Sequence, residues 1–298
     1  MHKSGFVNII GKPNVGKSTL MNALVGERMS IITNKPQTTR HRIIGIVSGD
    51  DYQIVFSDTP GFIDDPSYKM QEHMNAFVQT TFEDADIMLF MTEMDEEYAD
   101  DDPLFKSLKK AKVPVFLVLN KTDTAKPEAI LQKIKYWSDR FDFAEIVPIS
   151  ALHKSNTDKL FELVLKYTSE GPVYYPKDQF TDKPERFFIS EIIREKLLQL
   201  YHQEIPYSCE VMVENFKETK TNKGENLIRI QATIFANRKT QKSIIIGKGG
   251  SAIKKLGTES RMSIEKFLES KVFLELFVKV KEGWRNDDRL LKGFGYKQ

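Results

Sequence analysis

A single cysteine, Cys209, occurs in 298 residues. It has no partner for an internal disulfide, and a Cys-based zinc cluster is excluded with it. It reads as a buried small apolar side chain, with a reducing cytosol as the default compartment. Long hydrophobic runs are missing too. A membrane helix needs about 18 apolar residues, and the longest candidate, 113–119, is strand-sized and interrupted by Pro114. The first ten residues hold no signal-peptide core before the stretch that opens at Gly11. Internal repeats and low-complexity segments are also absent. What remains is an ordinary globular composition, 40% hydrophobic and 29% charged, long enough for two domains.

The net charge of +2 conceals an asymmetry. Residues 1–180 carry 21 basic against 26 acidic side chains, and residues 181–298 carry 23 against 16. A basic second half suits a polyanionic partner. Strand-like runs at 5–10, 43–48, 52–57, 87–92, 113–119 and 145–149 alternate in their later part with helical patterns at 70–83, 102–111, 127–140 and 156–168. That alternation predicts an α/β domain over 1–170, with a mostly parallel sheet and helices on both faces. Residues 171–184 hold three prolines without periodicity and read as a linker. From 185 to 298 the order becomes α-β-β-α-α-β, a smaller α+β domain with a C-terminal tail. The acidic run 95–102 reads as a solvated loop entering a helix.

Gly11-Lys12-Pro13-Asn14-Val15-Gly16-Lys17-Ser18, followed by Thr19, fits G-x-x-x-x-G-K-[ST] between a strand and a helix. Such a loop turns backbone N–H groups and a helix N-terminus toward phosphate. Lys17 is placed for the β- and γ-phosphates and Ser18 for Mg²⁺. Asp58-Thr59-Pro60-Gly61, with Phe62 next, ends a strand. Its carboxylate suits a Mg²⁺ shell, and the Gly61 N–H suits a γ-phosphate. Asn120-Lys121-Thr122-Asp123 ends another. The Asp123 carboxylate can accept from the guanine N1–H and exocyclic amine, which adenine cannot match. Ser150-Ala151-Leu152 offers backbone N–H to the guanine O6. All four motifs follow strand C-terminal ends, the edge where open α/β sheets bind ligands.

On these residues the stretch 5–170 resembles a translation-factor-class GTPase domain. The resemblance implies GTP or GDP with Mg²⁺ held by Ser18, Asp58 and a switch threonine. That switch is sought among Gln37, Thr38, Thr39, Arg40 and His41, with Thr39 preferred and Thr38 the alternative. Phe62 stands where Ras-like enzymes have a water-orienting glutamine, so slow intrinsic hydrolysis is expected. Asn14 has two readings of equal weight: a K⁺ ligand, as in GTPases that use K⁺ in place of an arginine finger, or a loop-stabilising residue.

Between Glu225 and Glu259 there is no acidic residue and there are seven basic ones. Within this stretch, Ile246-Gly247-Lys248-Gly249-Gly250 contains G-x-x-G between two helical patterns. With Arg238, Lys239, Lys242 and Lys254 around it, and in this element order, it resembles the loop by which type II KH domains clamp single-stranded RNA. It lacks the ending of a second P-loop. Together with Gln37-Thr38-Thr39-Arg40-His41-Arg42 and the terminal Gly283-Trp284-Arg285-Asn286-Asp287, the motifs resemble the Era family of bacterial GTPases over nearly the whole chain. That resemblance implies small-subunit ribosomal RNA near its 3′ end, and the small ribosomal subunit, as partners in assembly. It also implies peripheral association with the cytoplasmic face of the cell membrane. A cytoplasmic monomer is expected. Two rivals are a tRNA-modification GTPase, for which no modifying centre is visible, and a KH module with an inactive G domain, which the intact motifs oppose.

Overall fold

Six apolar strands build the first sheet: β1 (Lys3–Ile10), β2 (Ile43–Ser48), β3 (Tyr52–Asp58), β4 (Ile87–Glu93), β5 (Val115–Asn120) and β6 (Glu145–Pro148). The structure, a computed structural model, describes residues 1–221 and 224–296. The chain forms two compact units, one of Met1–Ser67 with Gln71–Asp182 and one of Tyr68–Met70 with Lys183–Gln298. In the first, the strand order is β2-β3-β1-β4-β5-β6. Only the β2–β3 pair is antiparallel. The helices between are α1 (Lys17–Val25), α2 (Lys69–Thr80), α3 (Pro103–Leu108), α4 (Pro127–Ser138) and α5 (Thr157–Tyr167).

The period of two along each strand sends alternate side chains to opposite faces. Ile87, Leu89 and Met91 of β4 meet Leu20 and Met21 of α1 and Leu160 and Val164 of α5. Met88 and Phe90 meet Val78 of α2, Phe105 of α3 and Trp137 of α4. Both faces are therefore covered, and β5 is buried along its whole length. Parallel strands with covered faces read as unbroken apolar runs, which is why they stand out in the sequence.

The linker expected over 171–184 is tied to the first unit for most of its length. Through Asp182 these residues pack with the first unit. Buried Gln53 accepts from Tyr174 N–H (2.8 Å) and Tyr175 N–H (2.9 Å), and donates to the Tyr175 carbonyl (2.8 Å). Ile46 N–H donates to the Phe180 carbonyl (2.8 Å), so this segment takes up hydrogen-bonding groups that edge strand β2 would otherwise expose.

The second unit runs α6 (Glu185–Leu200), β7 (Cys209–Lys220), β8 (Asn226–Ala236), α7 (Lys239–Ile246), α8 (Ser251–Leu268), β9 (Lys271–Val280) and a short α9 (Asp288–Gly293). β7 pairs antiparallel and β9 parallel with the central β8. Ile189, Ile193 and Leu197 of α6, Ile245 of α7, and Leu256 and Ile264 of α8 pack on one sheet face with Cys209, Val211, Ile230, Ala232, Ile234, Val272 and Val278. The tail adds to this unit: buried Trp284 donates to the Ser208 carbonyl (3.1 Å), and the Tyr296 hydroxyl donates to Glu210 (2.6 Å). No described helix is long and apolar enough to cross a membrane.

Candidate functional site

At the C-terminal edge of the first sheet, β1 gives way to a loop that only particular residues can follow. Gly11 and Gly16 have φ of 153° and 103°, and Asn14 takes a left-handed φ of 67°. A Cβ at Gly16 would stand 2.3 Å from the Asn120 amide, so glycine serves both the backbone conformation and the close approach. The loop delivers Lys17 into a buried position, where its ammonium donates to the carbonyls of Gly11 (3.0 Å) and Lys12 (2.8 Å). Burial pushes Lys17 down to about 8, against the pull of the Asp58 and Glu96 carboxylates.

Three side chains from three segments meet beside it. The Ser18 hydroxyl donates to Asp58 Oδ2 (2.7 Å) and lies 2.8 Å from Thr39 Oγ1, which donates to the same carboxylate oxygen at 3.5 Å. Between the two switch threonines, the geometry favours Thr39. Thr38 instead donates to the Lys35 carbonyl (2.6 Å) and pairs with Thr33 (2.6 Å) inside the loop. Asp58 is fully buried, and burial pushes its carboxyl up, opposed by Ser18 and Lys17. Its Oδ1 has no hydrogen-bond partner among the described residues. A buried carboxylate oxygen left unpaired beside two hydroxyls is an all-oxygen donor set, which suits Mg²⁺.

The other expected residues take varied places. Gly61 lies against the loop: a Cβ there would stand 2.7 Å from Pro13 N and Cα. Thr59 donates to the Ile9 carbonyl (2.9 Å), and Phe62 packs against the core beneath β4, so both act as supports. Arg40 and His41 are buried, and Gln37 has φ of 56°. Asn120 ties two loops together, donating to the Val15 carbonyl (2.7 Å) and accepting from Ala151 N–H (2.9 Å). Thr122 donates to the Ile149 carbonyl (2.9 Å), and left-handed Lys121 pairs with Glu93. Hydrogen bonding from Ser150 holds the Asp123 carboxyl below the ordinary value, which favours its charged form, with His153 also nearby at 3.7 Å.

Of Ser150, Ala151 and Leu152, expected to present N–H groups to guanine O6, the first two have their N–H groups hydrogen-bonded within the protein. Ser150 N–H donates to the Ser155 carbonyl (3.1 Å) and Ala151 N–H to Asn120. Both are engaged by protein acceptors. A cavity of about 520 Å³ joins the motifs, lined by Asn14, Lys17, Ser18, Thr39, Gly61, Asn120, Asp123 and Leu152 among others.

Some contributors lay outside the motifs. Asn22 of α1 accepts from Met29 and Ser30 N–H (both 2.9 Å) and anchors the start of the switch loop. A polar residue in mid-helix was the available signal. Arg42, the last residue of the Gln37–Arg42 motif, donates to Ser57 (2.7 Å) and Asp84 (2.5 Å), contacts its motif does not announce. The acidic run 95–102 is not simply solvated: Tyr98 is 3% exposed and approaches Lys12.

In the second unit, Gly247, Gly249 and Gly250 have φ of 72°, 60° and 77° between α7 and α8. A Cβ at Gly247 would meet Ala252 Cβ at 2.6 Å, whereas Gly249 and Gly250 face open space. Arg238, Lys239, Lys248 and Lys254 are exposed, Lys242 is half-buried, and Ile244 is exposed at 52% on the adjoining turn of α7. Ile246 is half-buried against the core. Bare backbone, cations and an exposed apolar side chain stand together there.

Comparison with known proteins covers both units. The family model described as a 50S ribosome-binding GTPase matches residues 6–121, and one described as a KH domain matches 204–285. The chain is 50% identical over 298 residues to GTPase Era of Clostridium kluyveri, with all of both chains covered. It is 47% identical over 299 residues to GTPase Era of Syntrophus aciditrophicus, covering 100% of this chain and 96% of that one. A crystal structure of Era with MgGDPNP and nucleotides 1506–1542 of 16S ribosomal RNA matches with a TM-score of 0.93, 37% identity and full coverage of both chains. A variant of Aquifex aeolicus Era bound to GDP and AlF₄⁻ matches with a TM-score of 0.92 and 37% identity, over 99% of this chain and 100% of that one.

Proposed function

The chain belongs to the Era family of GTPases, and from that premise we propose that it is a GTP-operated switch that binds small-subunit ribosomal RNA near its 3′ end and acts in small-subunit assembly. The observation that carries the switch is the meeting of Ser18, Thr39 and Asp58, since Thr39 comes from a loop and the other two from the sheet edge. Ser18, Thr39 and Asp58 would hold Mg²⁺, which neutralises phosphate charge when bound. Lys17 supplies a cation to the β- and γ-phosphates. Gly61 supplies an N–H to the γ-phosphate, so loss of that group releases both Thr39 and Gly61. Asp123, ionised, accepts the two guanine N–H donors, while Asn120 and Thr122 hold its loop. With Phe62 turned to the core, no side chain at that position orients the attacking water, which supports slow intrinsic turnover.

The RNA reading rests on the Gly247–Gly250 loop and its cations, and on the relative crystallised with a 16S segment. The phosphates would run along the exposed glycine backbone and the bases over Ile244. The cytoplasm is the proposed compartment, favoured by the lone free cysteine, with any membrane contact peripheral. The test is GTP turnover together with crosslinking and sequencing of RNA bound in cells. Recovery of the 3′ end of small-subunit RNA, with turnover, is the expected result. Turnover with recovery of transfer RNA alone would favour a modification enzyme, and RNA without turnover an inactive G domain.

A further inference from the structure

Lys12 belongs to the phosphate loop by sequence, yet its side chain is taken up by another loop. Its Nζ lies 3.9 Å from the Tyr98 ring centroid, donates to the Glu97 carbonyl (3.1 Å) and stands 3.7 Å from Asp102 Oδ2. All three partners come from the acidic connection between β4 and α3. That connection is a firm base. The Tyr98 ring packs edge-on against Phe90 and Trp137, with centroids 5.2 and 5.6 Å away. The other oxygen of Asp102, Oδ1, caps α3 by accepting from Leu104 N–H (2.9 Å) and Phe105 N–H (3.1 Å). The Asp102 carboxylate is thus divided between a helix end and the Lys12 ammonium.

What Lys12 transmits is the position of its own carbonyl, which accepts from the Lys17 ammonium at 2.8 Å. A cation over an aromatic face, with a carbonyl and a carboxylate beside it, resists displacement from all three sides. The backbone that carries it is restrained with it. We propose that Lys12 is a positioning residue for Lys17, seated on the β4–α3 connection so that its carbonyl presents the Lys17 ammonium to the nucleotide phosphates. The acidic run is then a mount for the phosphate loop. This inference rests on the GTPase reading of the site and deepens it.

The test uses the full chain with Mg²⁺, a fluorescent GDP and a non-hydrolysable GTP analogue, comparing wild type with Lys12→Met and Lys12→Arg. Each is made both with Lys17 present and in a Lys17→Ala background. Lys12→Met is expected to weaken nucleotide binding by roughly 10- to 100-fold, up to the scale of a ~1 Å misplacement of a contact group. Lys12→Arg keeps a cation over the ring and should stay within about twofold of wild type. In the Lys17→Ala background, Lys12→Met should add about twofold or less, because the group through which it acts is gone. A general loss of folding would not depend on Lys17 in this way. Lys12→Met binding as tightly as wild type, or costing the same factor in both backgrounds, would overturn the assignment. Wild-type protein that bound no guanine nucleotide would overturn the underlying reading instead.

Discussion

At the scale of single residues, the proposed site divides into groups assigned to the nucleotide and groups that hold them. Asp123 is assigned to the first kind. Replacing it by Asn turns one acceptor oxygen into a donor, so GTP affinity should fall roughly 100-fold or more, while xanthosine triphosphate, with a carbonyl in place of the amine, gains. Competition binding measures both, and unchanged GTP affinity would remove Asp123 from base recognition. Asn14 is poised between its two readings, exposed and lining the cavity in a left-handed conformation. If it holds K⁺, turnover in KCl should exceed that in NaCl at equal ionic strength, and Asn14→Ala should abolish the difference. Equal rates in the two salts would leave it a loop residue. The directly chemical residues were legible in the sequence because their spacing is rigid. Their supports were not: Asn22 and Tyr98 are fixed by partners outside their own elements, and no local pattern announces such a partner.

At the scale of elements, the sheet strands were readable because burial on both faces demands unbroken apolar residues of strand length. β9 was readable from every second residue, with Val272, Leu274, Leu276 and Val278 on the covered face and Phe273 and Phe277, 45% and 46% exposed, on the other. Helix α6 conceals more. Arg194 and Glu191 pair inside it with side chains only 1% and 7% exposed, a burial their charge does not announce. The linker 171–184 was legible as irregular backbone from its prolines, but its hydrogen bonds to Gln53 and Ile46 were not, because their partners are distant in sequence. Helix α8 carries a simple prediction. Gly257 lies in its interior, where a Cβ would come no closer than 3.6 Å to Leu276. Gly257→Ala should therefore stabilise this unit by up to about 1 kcal/mol. Thermal unfolding tests this, and a lowered midpoint would mean that the helix–sheet contact has no room for the methyl.

At the scale of the whole molecule, two cores and two candidate sites share one chain. A switch is useful only if its nucleotide state changes what the other unit binds. RNA affinity should accordingly be greater with a non-hydrolysable GTP analogue than with GDP, by roughly 5- to 150-fold, and RNA should raise analogue affinity by the same factor. Titrations must be made at one salt concentration, because phosphate contacts are strongly salt-dependent. Equal RNA affinity in both states would mean two independent modules on one tether. Gly250→Asp separates the sites: the added side chain enters open space at a left-handed position that Asp tolerates, and its charge opposes the RNA backbone. RNA binding should be lost and GTP binding kept.

The hydrogen bonds that close the first unit also set a clock. Ser4 N–H donates to the Ser169 carbonyl, Gly171 N–H to the His2 carbonyl, Gln53 grips Tyr174 and Tyr175, and Ile46 N–H reaches Phe180. The nascent unit is complete only when residue 180 has left the ribosome, and every strand of the second sheet is still to emerge. At about 5–20 residues per second, the stretch from there through the end of β9 takes roughly 5–20 s. For that interval the candidate nucleotide site can be complete on a chain whose Gly247–Gly250 loop is still unformed. Each molecule is thus able to meet GTP before it meets RNA, and the order of its first two encounters is written into the direction of its synthesis.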